Sequence, residues 1–292
     1  MLVIYALLVS SRYIDTSALQ LKDNVYMSMI VLQLLIFVLP TIFYSKLRGK
    51  KLTQKLPTKA LSGHKVGFIA SCFGVLIFGS ALLNTAVFYI FGSVENSTSL
   101  YETFNPLNTT SLTNIAYIII ALAIIPAITE EYTFRGIVQS EYSDYGIGVS
   151  MVMSAFMFAM LHFNLKQFIV YFFCGIVISY VVYITQSIFA GMLVHLLNNL
   201  YSLFFESSLW GAIKSPNSLI FFLFVITTLL IVFSVLSFGS AEKILYLSGV
   251  KGEKSPPEAE KMEGGIKLFF EALLSPSFIA CVILFLIVTL VL

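Results

Sequence analysis

Residues 114–136 read NIAYIIIALAIIPAITEEYTFRG. An apolar run long enough to cross a bilayer ends on two adjacent carboxylates, Glu130 and Glu131, with Arg135 four residues beyond. A charged side chain at bilayer depth costs roughly 2.5–3.5 kcal/mol on insertion scales. Three of them on one helix must pair, line a cavity, or perform chemistry.

The rest of the chain confirms the setting. It is 58% hydrophobic and 11% charged, with a mean hydropathy of +0.93, where a soluble domain carries about 25% charge. This composition implies an all-α, polytopic transmembrane bundle forming a single integral membrane domain over residues 1–292. A formal net charge of +2 on so apolar a chain argues against a nucleic-acid partner. Cys72, Cys174 and Cys281 lie inside apolar runs without CxxC spacing, so they read as small core or lipid-facing residues. The opening MLVIYALLVSS has neither a basic n-region nor a small-x-small cleavage site and is not read as a removable signal peptide.

A span needs about 20 mostly apolar residues. The expected spans are 25–44, 66–92, 112–140, 147–163, 165–184, 187–206, 218–238 and 275–292. That makes about eight, with 1–14 a short ninth candidate lying partly in the interface. Loop 45–65 holds Lys46, Arg48, Lys50, Lys51, Lys55, Lys59 and Lys65 and no acidic residue, so it is expected in the cytoplasm. Loop 93–111 carries Glu95 and Glu102 without Lys or Arg and is expected outside. Following the spans puts 141–146 inside, 207–217 outside, and the lysine-bearing loop 239–274 inside. Within the last, KGEKSPPEAEKMEGG reads as a flexible linker and IKLFFEALL as a short amphipathic surface helix. NST at 96–98 and NTT at 108–110 match glycosylation sequons, which carry no meaning in a bacterium.

On an α-helix, Glu131 and Arg135 lie roughly 40° apart on one face, whereas Glu130 lies about 140° from Arg135. The expected division of labour is that Arg135 fixes Glu131. Glu130 is left in low dielectric beside another carboxylate, suited to act as a general base. The plain alternative is one structural ion cluster locking helix packing. Two further pairs share helix faces, Phe158 with His162 in FAMLHF and His195 with Asn199 in GMLVHLLNNL. At 1.5 Å rise per residue, Glu130 and Glu131 sit about 15 Å, His162 about 23 Å, and His195 and Asn199 about 12 and 18 Å from the inner turns. One middle layer therefore holds all five groups, and one cavity opening toward the cytoplasm explains them better than five accidents.

There is no HExxH and no GxSxG. A carboxylate and a histidine can polarise one water, and a second histidine with an asparagine can donate to a developing oxyanion. That equipment suits amide hydrolysis. Two histidines and two glutamates can also hold a divalent metal, so a metal-assisted variant stays open.

EEYTFR, FAMLH and HLLNN, in that order, resemble the three motifs of the CPBP (CAAX protease and bacteriocin-processing, Abi-type) family of intramembrane proteases. The similarity is concentrated between about 129 and 200, inside a motif-bearing core of 112–206. The resemblance implies that Glu130 and His162 activate water, that His195 and Asn199 form the oxyanion hole, and that Glu131 and Arg135 support the site. It also implies a helical bundle around a conical cavity open to the cytoplasm and laterally to lipid. The short spacing between His162 and His195 looks more like bacterial members, in a bacterial cell membrane. The implied substrates are a bacteriocin or pheromone precursor, a small membrane protein, or a prenylated C-terminus. Two other classes compete: a non-catalytic immunity or scaffold protein, and a transporter using Glu130 and Glu131 as a proton relay. The latter predicts charges strung along a path, and the spans carry almost none outside this layer.

Overall fold

The computed structural model describes residues 2–11, 25–91, 111–206, 215–250 and 265–291, and among these it is helical, with one isolated bridge between Thr58 and Ser187. The helices are α1 (Leu2–Ser11), α2 (Tyr26–Arg48), α3 (Val66–Phe91), α4 (Leu112–Tyr145), α5 (Ile147–Leu161), α6 (Phe168–Thr185), α7 (Ile188–Phe204), α8 (Pro216–Val250), α9 (Gly265–Leu273) and α10 (Pro276–Val291). The protein is an integral membrane helical bundle. The expected outer loop 93–111 lies, but for Ser111, outside the described residues, as do both sequons and the linker around 251–264.

The span count differs from the expected eight. Among the described residues, five helices are long and apolar enough to cross a membrane: α2, α3, α4, α6 and most of α8. A sixth arises if α9 and α10, bent by 55° at their junction, count as one. The helices α5 and α7 have 15 and 17 residues, about 22 and 26 Å at 1.5 Å per residue, and are the shortest among α2 to α8. Both bear motif residues and are packed among longer neighbours, which remove the need for full bilayer length. The ninth candidate, α1, has 10 residues and does not span alone. It seats Tyr5 in the core, where the hydroxyl donates to the Met157 carbonyl at 2.5 Å.

Helix α8 also runs 12 residues past its expected end at 238, into what the sequence suggested was a cytoplasmic loop. Ala241 and Ile244 extend its buried stripe against α3, while Glu242 and Lys243 between them face outward. Helix α9, the expected amphipathic segment, buries Ala272 and exposes Lys267 and Glu271.

Helices α2 and α4 each contain a π-helical stretch ending two residues before a proline: 34–38 before Pro40 and 120–124 before Pro126. The proline cannot donate to the carbonyl four residues back and its ring crowds it, so the helix widens there. Backbone groups freed in the bilayer need partners, and Gln33 of α2 donates to the Ala121 carbonyl at 3.4 Å. A third π stretch, 132–138, begins directly after Glu131, and Ser154 of α5 donates to its Phe134 carbonyl at 2.9 Å.

The basic loop after α2 is tied to one end of the bundle. Arg48 makes a bidentate pair with Glu141 at 2.9 and 2.7 Å, and Lys55 reaches Asp144 at 2.6 Å. The Pro57 carbonyl accepts from Ile188 N–H at 2.7 Å, and the buried Lys65 donates to the Thr185 carbonyl at the C-terminus of α6. The turns at 141–146 and 185–188 thus share an end with the basic segment.

Candidate active site

The site is built on four helices, α4 through α7. Glu131 and Arg135 are 0% exposed. Arg135 Nη1 donates to Glu131 Oε1 at 2.6 Å and Nη2 to the Gly175 carbonyl of α6 at 3.0 Å. Its guanidinium carbon stands 4.6 Å from the Phe158 ring centroid, a cation–π contact from α5. His195 of α7 brings Nδ1 to 2.8 Å from the same Glu131 Oε1. An oxygen already holding the Arg135 donor accepts again here, so Nδ1 carries the proton and Nε2 is the free end of the ring.

This approach requires a glycine on α7. A Cβ at Gly191, one turn before His195, would lie 3.2 Å from Glu131 Oε2 and 2.6 Å from Val182 Cγ2. Gly175 is equally tight, since a Cβ there would lie 2.8 Å from Ala155 Cα. Helix α6 therefore packs closely enough on α5 to offer its carbonyl to Arg135.

Glu130, His162 and Asn199 differ from this sealed set. Each is partly exposed. Among the described residues no hydrogen bond reaches the Glu130 carboxylate or the Asn199 amide, and none of their polar atoms is sealed from solvent. Glu130 lies within electrostatic reach of His195, Glu131 and Arg135, and His162 within reach of His195 and Arg135. His162 closes α5, with Nδ1 3.1 Å from the Phe158 carbonyl. A carbonyl only accepts, so this Nδ1 is also protonated and Nε2 presents a lone pair. The Phe158 ring stands edge-on to His162 and to His195, with centroids 5.1 and 5.8 Å apart.

Thus the structure joins Glu131, Arg135 and His195 directly, and His162 and His195 through Phe158. Helical spacing alone accounts for the Glu131–Arg135 pairing, but nothing in it signals the His195 bond. The Gly175 carbonyl and Tyr171, stacked on His162, were also missed: a backbone acceptor has no side-chain signature, and one Tyr among the aromatics of FIVYFF is unremarkable. Gly191 was readable as the glycine in GMLVH.

Among the described residues no three His, Cys, Asp or Glu side chains converge as a group able to hold a metal ion. With Glu131 Oε1 engaged by Arg135 and His195, the donors present do not fit a ready divalent site.

Neither curated proteins nor solved structures give a match to the chain. The family model described as "Type II CAAX prenyl endopeptidase Rce1-like" matches residues 112–201, so the stretch that supplies every side chain of this site is similar to that endopeptidase domain.

Proposed function

We propose that the protein is an intramembrane endopeptidase that hydrolyses a peptide bond of a membrane-associated or lipidated precursor with a water activated by Glu130 and His162. The observation that carries this reading is the partition of the polar layer. Glu131 and Arg135 are wholly buried and paired through Glu131 Oε1, with Glu131 Oε2 and Arg135 Nε sealed in without a hydrogen bond, whereas Glu130, His162 and Asn199 keep polar atoms unengaged and open. A purely structural ion cluster would pack Glu130 against its charged neighbours and leave none of its members open.

Glu130 takes a proton from the water while His162 Nε2 accepts the water's other hydrogen and orients it. The water oxygen bonds to the carbonyl carbon, and the carbonyl oxygen becomes the oxyanion. Asn199 donates an amide N–H to that oxygen. His195 Nε2 donates as well when its ring carries both protons, its Nδ1–H being held by Glu131. Collapse of the tetrahedral centre breaks the C–N bond, and Glu130 returns its proton to the leaving amine. The basic segment 45–65 supports placing the end with turns 141–146 and 185–188 at the cytoplasm. The candidate substrates remain a prenylated C-terminus, a bacteriocin or pheromone precursor, or a small membrane protein.

The test compares peptide termini by mass spectrometry in cells lacking the protein and restored with wild type or Glu130→Gln at matched membrane levels. A precursor that loses its cleaved form only with Glu130→Gln supports the peptidase and names the substrate. Identical termini and phenotype in both strains refute Glu130 as the base and favour a binding protein of the immunity or scaffold kind.

A further inference from the structure

We propose that Tyr171 is a positioning residue for His162, setting the plane of the imidazole that orients the water. This rests on the peptidase reading above. His162 caps α5 directly after its last residue, Leu161, and Phe163 after it has φ 46°, in the left-handed region. The backbone leaves the helix there, so no following turn of α5 can cover the imidazole face. That cover comes from α6. The turn 163–167 is closed by Asn164 Oδ1 accepting the Gln167 N–H at 3.1 Å, and α6 then begins at Phe168. Its first turn carries Tyr171 onto His162, with ring centroids 3.8 Å apart and an interplanar angle of 13°.

Two contacts then define the ring in different ways. The Tyr171 stack fixes its plane but is satisfied by either of two orientations related by a half-turn. The bond from Nδ1 to the Phe158 carbonyl selects one of them. Only with both in place is Nε2, the lone-pair nitrogen, directed to one place. Without the stack the imidazole can rotate about its Cβ–Cγ bond, a broad torsion in histidine, and the tautomer is no longer held.

The chain has three histidines, His64, His162 and His195, so ¹⁵N-histidine NMR of the full-length protein in nanodiscs resolves them, with assignment by single His→Gln variants. Wild type and Tyr171→Phe, which keeps the ring, are expected to show His162 as one tautomer with Nδ1 protonated. Tyr171→Leu, or Tyr171→Met should the first variant not fold, is expected to average the His162 signals between tautomers while leaving those of His64 unchanged. On the precursor identified above, Tyr171→Leu is expected to lower kcat about 10- to 100-fold, the scale of a misplaced reacting group, with KM within about two-fold. Tyr171→Phe is expected to restore kcat. Wild-type His162 signals in the folded Leu or Met variant overturn the proposal whatever the activity. Averaged signals with unchanged kcat overturn it as a statement about catalysis. A wild type that cleaves nothing while its Tyr171→Leu variant averages the His162 signals refutes the peptidase reading instead and leaves the positioning of the ring standing.

Discussion

Replacing each adjacent glutamate in turn by glutamine should produce opposite defects. Glu131 Oε1 holds Arg135 Nη1 at 2.6 Å and His195 Nδ1 at 2.8 Å, and both Glu131 and Arg135 are 0% exposed. Glu131→Gln removes the charge that pairs the buried guanidinium, leaving it the Gly175 carbonyl, the Phe158 ring, a neutral amide and the unbonded Glu130. Breaking a buried pair from one side costs about 3–5 kcal/mol, because it strands the other charge. At about 2–4 °C per kcal/mol for a chain of this order of size, Tm should fall by about 6–20 °C. Glu130 is partly exposed and holds no hydrogen bond among the described residues. Glu130→Gln should therefore keep Tm within about 2 °C, in the manner of substitutions away from bonded networks, while abolishing cleavage. The assay is thermal unfolding of both purified variants in one detergent, alongside Glu131→Gln/Arg135→Met. Removing both charges leaves no stranded ion, so the double variant should recover most of the lost Tm without regaining activity. Equal Tm values for the two single variants, or a double variant no more stable than Glu131→Gln, would refute the assignment of Glu131 and Arg135 as a sealed supporting pair.

Two further outcomes are expected. Gly175→Ala places a Cβ 2.8 Å from Ala155 Cα, a backbone atom that cannot swing aside; overpacking of this kind costs about 1–3 kcal/mol, and the same melting assay should show a loss of about 2–12 °C, with wild-type stability excluding the close α5–α6 approach. Asn199→Ala should leave Tm unchanged and lower kcat on the identified precursor about 10²- to 10³-fold, the effect of losing one oxyanion donor. An unchanged kcat removes Asn199 from the reaction.

The bundle was legible because lipid imposes one rule, twenty or so apolar residues per crossing, and α2, α3, α4 and α6 obey it closely. The rule misleads at α5 and α7, whose apolar stretches pass for full spans although their helices stop at 15 and 17 residues. Hydropathy counts apolar residues and does not register where Phe163 turns the chain left-handed. It also ended α8 too early, because Glu242 and Lys243 read as a loop while Ala241 and Ile244 beside them continue the buried stripe. In the polar layer the i to i+4 pairing of Glu131 with Arg135 follows from helix geometry alone, as does the separation of Glu130 from it. The bond between His195 and Glu131 joins residues 64 apart, and nothing local specifies it. The π stretches had a local cause in Pro40 and Pro126, readable from proline's missing N–H. The stretch at 132–138 has no such proline.

The adjacency of Glu130 and Glu131 is itself informative. Neighbouring residues on a helix point about 100° apart, so at the edge of an opening one can face packed protein while the next faces accessible space. Two carboxylates spaced four apart would share a face and an environment, both sealed or both open. Adjacency separates their surroundings without separating their depth. Here it places Glu131 under Gly191, between Arg135 and His195, while Glu130 at the same level stays partly exposed within electrostatic reach of all three. The buried carboxylate can then hold an imidazole in one tautomer while its neighbour remains free to exchange a proton. A cluster built only to pack helices gains nothing from leaving Glu130 unbonded, whereas hydrolysis requires an acceptor that no protein group has already claimed.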